Sequence, residues 1–161
     1  MPIDADQFRQ VMGNFATGVT VVTTAVDGQL HGFTANAVTS VSLEPLLFLV
    51  CVDKNANAHG ELGRAAHFGV CMLSAEQIEI SNLFARTGPP EKGSLRGAGF
   101  TLGTTGVPLI DDSIATIECK IDRLVDCGDH TIVLGEVVAG SVCDEGAPLL
   151  YFRGRYRQLA D

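Results

Sequence analysis

The chain has 161 residues, a net charge of −8 at pH 7 and a hydrophobic share of 46%. This length predicts one domain over residues 1–161 with a sizeable buried core, and the acidic balance argues against a nucleic-acid partner because no basic stripe is present to neutralise phosphates. The longest strictly apolar run, Leu46–Val52, is too short to span a bilayer, and the N-terminus lacks a signal-peptide apolar region, so no membrane partner is expected.

The five cysteines predict neither a disulfide framework nor a metal site. Their number is odd, and no two of them are spaced as Cys-x-x-Cys, so a zinc site of the common finger type is unsupported. Buried free thiols in a reducing cytoplasm are the prediction. The five are Cys51, Cys71, Cys119, Cys127 and Cys143.

The first predicted element is an amphipathic helix over residues 4–16. Its apolar side chains recur at the spacing i, i+3, i+4, i+7, with Asp4 or Asp6 near its start and Gly18 closing it. Those side chains are Phe8, Val11, Met12 and Phe15.

Three strands follow. Val19–Val26 is rich in β-branched residues, Asp27-Gly28 is a hairpin turn signal, and Leu30–Val41 is predicted to return as the second strand. Leu46–Val52 is predicted to be the third strand, buried on both faces because its apolar run is unbroken.

The middle of the chain mixes helices and strands. Ala56–Ala66 predicts a short helix and His67–Leu73 a strand. Ser74–Gln77 matches a capping box, which predicts a helix that continues to about Arg86, followed by a loop over residues 87–96. Side chains predicted to point inward from that helix are Ile78, Leu83 and Phe84.

The remaining segments predict short strands joined by turns. Two are well marked: Ala115–Asp122 alternates apolar with polar residues, and Thr131–Val138, after a turn at residues 127–129, is apolar on both faces. The others are broken strands within Phe100–Leu109, then Leu149–Phe152 and Arg155–Leu159. Strands dominate and βαβ periodicity is missing, so the predicted fold is a mainly β (α+β) antiparallel barrel with helical insertions.

Residues 34–59 indicate a ligand site. Small and hydroxylated residues at 34–42 would let a flat ligand approach the backbone closely. Lys54 follows the apolar strand, and Asn55 or Asn57 is placed to cap the next helix, whose N-terminus suits a phosphate. A flat ring beside a phosphate suggests flavin mononucleotide, although the same composition is also common in β-barrels without a ligand.

Motifs of other enzyme classes are missing. Gly97-Ala-Gly99 comes closest to a Rossmann fingerprint, but position 102 is Leu, and the predicted elements place no strand before it and no helix after it. No Walker loop, His-Glu-x-x-His or Gly-x-Ser-x-Gly is present. A nicotinamide cofactor would therefore bind without a Rossmann domain.

Four ordered motifs carry a family resemblance. They are Phe15-Ala-Thr-Gly-Val-Thr-Val-Val-Thr23, Gly32-Phe-Thr-Ala-Asn-Ala-Val-Thr-Ser-Val-Ser-Leu-Glu-Pro45, Gly128-Asp-His130 and Tyr151-Phe-Arg-Gly-Arg-Tyr156. The chain resembles the short-chain flavin reductases, the reductase components of two-component flavin-dependent monooxygenases. The resemblance implies an antiparallel split β-barrel of the FMN-binding type, a homodimer with the flavin near the subunit interface, and hydride transfer from NADH or NADPH to FMN (or FAD). It also implies a separate monooxygenase that receives the reduced flavin.

The resemblance further implies roles for single residues. The histidine beside the nicotinamide would be His130. Arg155 and Tyr156 would contact phosphate or the adenine half. Many relatives carry a serine or threonine at the position of Asn57 or Ala58, whereas neither residue has a hydroxyl group in this chain. The phosphate contact is therefore expected to shift to Asn57, Lys54 or the backbone. The other implied flavin contacts are Asn36, Ala37, Val38, Thr39, Ser40, Ser42, Leu43, Cys51, Val52, Asp53, Lys54, Asn57, Ala58, His59, Phe84 and Lys92.

Plain structural roles also fit these residues. His130 opens a strand after a turn, Lys54 alone is commonly a solvated cation, and Phe84 at helical spacing is commonly core. The alternating arginines at 153, 155 and 157 fit one exposed strand face.

Three other functions remain open at this point. One is a flavin-retaining oxidase or monooxygenase that acts on its own organic substrate. Another is a non-catalytic FMN-binding electron-transfer protein, in which Gly128-Asp-His130 would have no task. The third is a β-barrel interaction module without a cofactor.

Overall fold

The computed structural model describes residues 2–86 and 95–160. Three helices lie within them: α1 (Ala5–Met12), α2 (Asn57–Arg64) and α3 (Ile78–Phe84). Twelve strands lie within the same residues: β1 (Thr17–Gly18), β2 (Thr20–Val26), β3 (Gln29–Ala35), β4 (Val38–Leu43), β5 (Leu46–Asp53), β6 (His67–Met72), β7 (Phe100–Leu102), β8 (Pro108–Ile110), β9 (Ala115–Cys127), β10 (His130–Val142), β11 (Leu150–Phe152) and β12 (Arg155–Arg157). The predicted mainly β antiparallel class is confirmed. Most of the predicted loop over 87–96, with Lys92, falls outside the described residues.

Seven strands form the main antiparallel sheet in the order β3-β2-β6-β9-β10-β5-β4. One hydrophobic cluster on this sheet includes Val22, Val50, Phe68 and Leu62 of α2. A second includes Val21, Cys71, Phe84 and Leu149, on the side of α3 and the C-terminal strands. Neighbouring β2 residues thus belong to different clusters, so both faces of β2 are covered.

The predicted single strand Leu30–Val41 is wrong, because it is two strands at opposite edges of the sheet. β3 pairs with β2 up to Thr20↔Ala35, and β4 begins at Val38 and pairs with β5. Only Asn36 and Ala37 join the two edge strands, so the edges must lie close together and the sheet must curl. The backbone N–H of Cys51 donates to the carbonyl of Ala37 at 2.9 Å and fastens this crossing.

Burial of β5 on both faces is also wrong. Phe48, Val50 and Val52 are buried, whereas the alternate residues on the strand are only partly buried or exposed. This is the ordinary two-residue period of a strand with one core face. The predicted strand Thr131–Val138 is also too short, since β10 reaches Val142 along its whole pairing with β9.

The predicted first helix is too long. Asp4 and Gln7 form a reciprocal capping box at the start of α1, and Gly13 caps the end, because Gly18 belongs to β1 and pairs with β11. None of the residues of α1 is buried, and Phe8 and Val11 are 55% and 60% exposed. The apolar face of the helix is therefore not covered by the described part of the chain.

Two predicted caps are wrong. The N-cap of α2 is Ala56, and no side chain caps this helix. α3 begins only at Ile78, with Gln77 as its N-cap, and Gln77 accepts from the backbone N–H of Ser74 at 3.0 Å without the reciprocal bond. The Gln77 side chain also donates to the carbonyl of Asp111 at 2.8 Å, so it joins α3 to a distant loop.

All five cysteines are free, but only Cys71 and Cys119 are buried. The prediction of buried thiols is wrong for Cys127 and Cys143, which are exposed, and Cys51 is partly buried. Among the helices of residues 2–86 and 95–160, none has both the length and the apolar character needed to cross a bilayer.

Candidate functional site

The crossing from β3 to β4 opens onto a cavity of about 290 Å³. The end of β5, the start of α2 and the end of α3 supply its other walls. We call it the main cavity, and it is lined among others by Gly32, Asn36, Cys51, Asp53, Ala58 and His130.

Strand register brings Asp53 and His130 together at the main cavity. The two residues are directly opposed in the β5–β10 ladder, and Cys51 lies opposite Ile132. Opposed residues in an antiparallel pair point to the same face, so Cys51, Asp53 and His130 share one face of the sheet. That face is the cavity wall.

Gly32 lets α3 close one side of the main cavity. A Cβ built at Gly32 would lie 2.9 Å from the ring of Phe84, so a larger residue would push this ring away. The Thr34 hydroxyl donates to the carbonyl of Ser81 at 2.6 Å and holds α3 against β3. Phe84 is 3% exposed, and its buried ring presents an apolar wall.

The start of α2 and two arginines bring positive polarity to the wall of the main cavity. Ala56, Asn57 and Ala58 line it, so the first turn of α2, which no side chain caps, forms part of the wall. A helix start carries a partial positive charge and backbone N–H groups that suit an anion. Arg86 and Arg96 also line the cavity.

The ring of His130 is oriented by its neighbour in the chain. Its Nδ1 lies 2.8 Å from Oδ1 of Asp129. The hydrogen bond from His130 lowers the pKa of Asp129 below its ordinary 3.8, so the carboxylate is ionised at neutral pH and accepts the bond. Nδ1 is therefore the donor, and Nε2 is left for other contacts.

Cys51 lies in the cavity wall as a protonated thiol. Burial and, to a smaller degree, the nearby Cys127 raise its pKa. A thiolate is the reactive form of cysteine, so Cys51 is not an activated nucleophile. Cys51 therefore contributes to the shape of the cavity wall.

Asn36 lies where the main cavity meets two further cavities. The N-terminal cavity, about 380 Å³, is lined by Phe15, Val38 and Thr39 among others. The tyrosine cavity, about 300 Å³, is lined by Tyr151 and Tyr156 among others. Asn36 lines all three cavities, so one extended ligand or two smaller ligands could reach across this junction.

Tyr156 ties the C-terminal hairpin to α3. Its hydroxyl is hydrogen-bonded to Oγ of the fully buried Ser81 at 2.8 Å and donates to Oδ1 of Asn82 at 3.1 Å. The rings of Tyr151 and Tyr156 meet edge to face, with centroids 5.7 Å apart. The hairpin thereby forms a fixed aromatic wall of the tyrosine cavity.

Many of the residues predicted for the site come together. Those that line the main cavity are Asn36, Ala37, Cys51, Val52, Asp53, Asn57, Ala58, Phe84 and His130. Val38 and Thr39 line the N-terminal cavity, and Tyr156 lines the tyrosine cavity.

Other predicted residues lie outside these three cavities. Ser40, Ser42 and Leu43 continue along β4, and Arg155 is exposed on β12. His59 contacts Thr131 at 2.8 Å in a separate cavity of about 220 Å³. The ammonium of Lys54 is bound to Asp126 and to the carbonyl of Gly128. Lys92 is outside the described residues.

Sequence reasoning missed Arg86, Arg96 and Asp129 as site residues. The two arginines line the main cavity although ten positions separate them, and no spacing rule connects them to residues 34–59. Asp129 was within reach of prediction, since a carboxylate beside a histidine commonly orients its ring.

The fold and cavity define a class: a curled antiparallel β-sheet protein with a cavity lined by small and apolar residues, a helix start and two arginines. Residues 12–160 match the family model described as flavin reductase like domain. The chain is 42% identical to an NADH-dependent FAD reductase of Streptomyces globisporus, over 99% of this chain and 88% of that protein. The chain therefore belongs to the flavin reductase-like family, as its motifs predict.

Two further comparisons agree. The chain is 36% identical to HsaB, the reductase subunit of a flavin-dependent monooxygenase of Rhodococcus jostii (strain RHA1), over 96% of this chain and 77% of that protein. The solved structure of the NADH:FAD oxidoreductase SgcE6 of Streptomyces globisporus C-1027, in complex with NAD and FAD fragments, matches with a TM-score of 0.90 at 39% identity, covering 99% of this chain and 97% of that chain. The predicted split barrel is confirmed.

Proposed function

We propose that this protein is an NADH:flavin oxidoreductase that reduces FMN or FAD and supplies the reduced flavin to a separate monooxygenase. The observation that carries the proposal is the lining of the main cavity, which combines small and apolar residues with the start of α2 and two arginines. Cys51 in this lining has a raised pKa and is not an activated nucleophile. A bound flavin accepts a hydride from reduced nicotinamide, so the protein needs to supply position and electrostatics rather than a reactive side chain.

The residues of the main cavity fit a flavin mononucleotide moiety. Asn36 and Ala37 offer backbone and little bulk to the edge of a flat ring, and Phe84 offers an apolar wall. Asn57 and Ala58 at the start of α2, together with Arg86 and Arg96, would hold the phosphate. The second phosphate and the adenine of FAD would extend beyond the residues that hold the first phosphate.

His130 would orient the nicotinamide. Its ring lies at the cavity opposite Asp53, and its side chain is 41% exposed, so it remains accessible to a second ligand. With Nδ1 donating to Asp129, Nε2 is available to accept a hydrogen bond from a carboxamide. NADH rather than NADPH is proposed because NADH is the cofactor in the name of the FAD reductase relative.

We further propose that the protein acts as a homodimer. The apolar side chains of α1 have no cover in the described part of the chain, and Phe15 is 69% exposed while it lines the N-terminal cavity. A second copy seated on α1 would bury this surface and border the junction at Asn36. We also propose that residues 1–161 act as a single domain in the cytoplasm, where the free cysteines would stay reduced.

The test is NADH oxidation, followed by loss of absorbance of the reduced nicotinamide, on protein stripped of flavin. With added FMN or FAD the rate should exceed the rate of free flavin by orders of magnitude and should saturate with flavin concentration. No acceleration by either flavin would contradict the proposal.

A further inference from the structure

Lys54 is fastened to the turn that carries His130. Its backbone N–H donates to the carbonyl of Asp129 at 3.0 Å, and its ammonium donates to the carbonyl of Gly128 at 2.6 Å. The same ammonium forms an ion pair with Asp126 of β9. Lys54, which directly follows β5, thus contacts both the end of β9 and the turn before β10.

These contacts take Lys54 away from the main cavity. The ammonium is bound to Asp126 of β9 and to the Gly128 carbonyl of the turn. Lys54 does not appear in the described cavity wall, where Arg86 and Arg96 supply the cations. A lysine that left the turn to reach a phosphate would leave the Gly128 carbonyl without this donor. The contacts therefore give Lys54 a task different from phosphate binding.

The turn before β10 carries the groups that orient His130. Gly128 has φ +63°, a conformation that favours glycine, and the turn ends at His130, whose ring is oriented by Asp129. The carbonyl of Asp129 accepts a hydrogen bond from the backbone N–H of Lys54, and its carboxylate accepts one from Nδ1 of His130. His130 is itself paired with Asp53 in the β5–β10 ladder, so a shift of the turn would move the carboxylate of Asp129 relative to the imidazole of His130.

We propose that Lys54 is a positioning residue of the active site, which fixes the turn at residues 127–129 so that Asp129 holds His130 with Nδ1 protonated and Nε2 available to the nicotinamide. This inference rests on the proposed function. It assigns the phosphate to the α2 start and the arginines, and it gives Lys54 an effect on nicotinamide alone.

Two flavins that differ only in the phosphate separate the two possible tasks of Lys54. Steady-state kinetics with FMN and with riboflavin, which lacks the phosphate, should be measured for the wild type, Lys54→Met and Arg96→Met. For Lys54→Met we expect kcat/KM for NADH to fall about tenfold with either flavin, below the roughly hundredfold that a misplacement of 1 Å can cost. The KM for FMN should stay within about twofold of the wild type. Arg96→Met should show the opposite pattern, with a raised KM for FMN and an unchanged KM for riboflavin.

A spectroscopic measurement tests the same inference without turnover. Nitrogen-15 NMR of the neutral imidazole of His130 should show a protonated Nδ1 in the wild type. Lys54→Met and Asp129→Asn should both increase the fraction with a protonated Nε2, and Asp126→Asn, which keeps the Lys54–Gly128 bond, should change it least.

Two results would overturn the inference. One is an increase in the KM of Lys54→Met for FMN with no change for riboflavin, which would make Lys54 a phosphate ligand. The other is a Lys54→Met variant with wild-type kinetics and an unchanged His130 tautomer. Absence of flavin reduction by the wild type would instead count against the proposed function, and the NMR measurement would still decide the contact between Lys54 and His130.

Discussion

Two turns of this protein are each organised by a carboxylate, and they differ in burial and in what the carboxylate binds. Glu118 is 4% exposed and accepts four hydrogen bonds, from the backbone N–H and the hydroxyl of both Thr104 and Thr105. Asp129 is exposed and accepts from one side chain, His130, which faces the main cavity. The first arrangement fixes the connection between β7 and β8, and the second orients one ring at the site.

The Glu118 turn contributes to stability, whereas the Asp129 turn contributes to the orientation of a site residue. A buried carboxylate with four donors contributes to the folded state, because its removal leaves those donors unpaired. An exposed carboxylate with one partner contributes little to folding, but it can fix the direction of a side chain. We therefore expect substitutions at the two turns to have opposite consequences for unfolding and for catalysis.

The largest effect on stability is expected for Glu118→Gln. The amide keeps the shape of the side chain but loses the charge and places a donor among donors, so the free energy of unfolding should fall by about 3 kcal/mol. Denaturant unfolding measures this value. Glu136→Gln is the matched control, since Glu136 is exposed on β10, and it should change the free energy by less than about 0.5 kcal/mol. Equal losses for the two variants would contradict the structural role of Glu118.

The largest effect on catalysis is expected for His130→Ala. Loss of the orienting ring should lower kcat/KM for NADH by up to about a hundredfold, because the nicotinamide is no longer held in the reactive position. The affinity for FMN, from fluorescence titration, and the unfolding midpoint should be nearly unchanged. A large loss of FMN affinity with unchanged kcat would place His130 at the flavin instead.

The pH dependence of stability should test the role of Glu118. Burial alone would raise the pKa of Glu118, but the hydrogen bonds from Thr105 and Thr104 outweigh burial and lower it below the ordinary 4.5. A lowered pKa in the folded protein means that the contribution of Glu118 to stability is complete above pH 4.5 and is lost as the pH falls through the folded pKa. Unfolding curves of the wild type and Glu118→Gln should therefore converge in acid and separate near neutral pH. Curves that stay parallel down to strong acid would contradict this cause.

The smallest effect is expected on thiol reactivity. Cys127 and Cys143 are exposed and should react first with an alkylating reagent, whereas Cys51 is partly buried with a raised pKa and should react slowly. FMN should slow alkylation of Cys51 further, because that thiol lies in the wall of the main cavity, and should leave Cys143 unaffected. Peptide mass spectrometry at several reaction times measures the alkylated fraction of each cysteine. Protection of Cys143 but not of Cys51 would contradict flavin binding in the main cavity.

Local pattern predicted most of the fold. The β-branched run at 20–26, the Asp27-Gly28 turn and the alternation after Ala115 each determine an element from nearby residues, and each appears in the structure within a few residues of the prediction. The break at Asn36 was missed because Leu30–Val41 has strand propensity throughout. The break arises from pairing with two different partners, β2 and β5, which only the whole sheet determines.

The site likewise contains residues that local sequence predicts and residues that only contacts between distant segments determine. Residues 34–58 are close in sequence to the β3–β4 crossing, so one stretch predicted much of the main cavity. Arg86, Arg96 and the fastening of Lys54 to Gly128 depend on contacts between distant segments, and residue type alone did not reveal them. The family resemblance supplied His130, and the register His130↔Asp53 gives its place at the cavity.

If this protein supplies reduced flavin to a partner, the flavin must leave the main cavity after reduction. The most direct test is an anaerobic reaction of flavin-free protein with NADH and a large excess of FMN, followed by bleaching of the flavin absorbance. We expect many equivalents of FMN to be reduced for each protein chain. Bleaching that stops at one equivalent per chain would mean that the flavin is retained, and it would contradict the supply of reduced flavin to a partner.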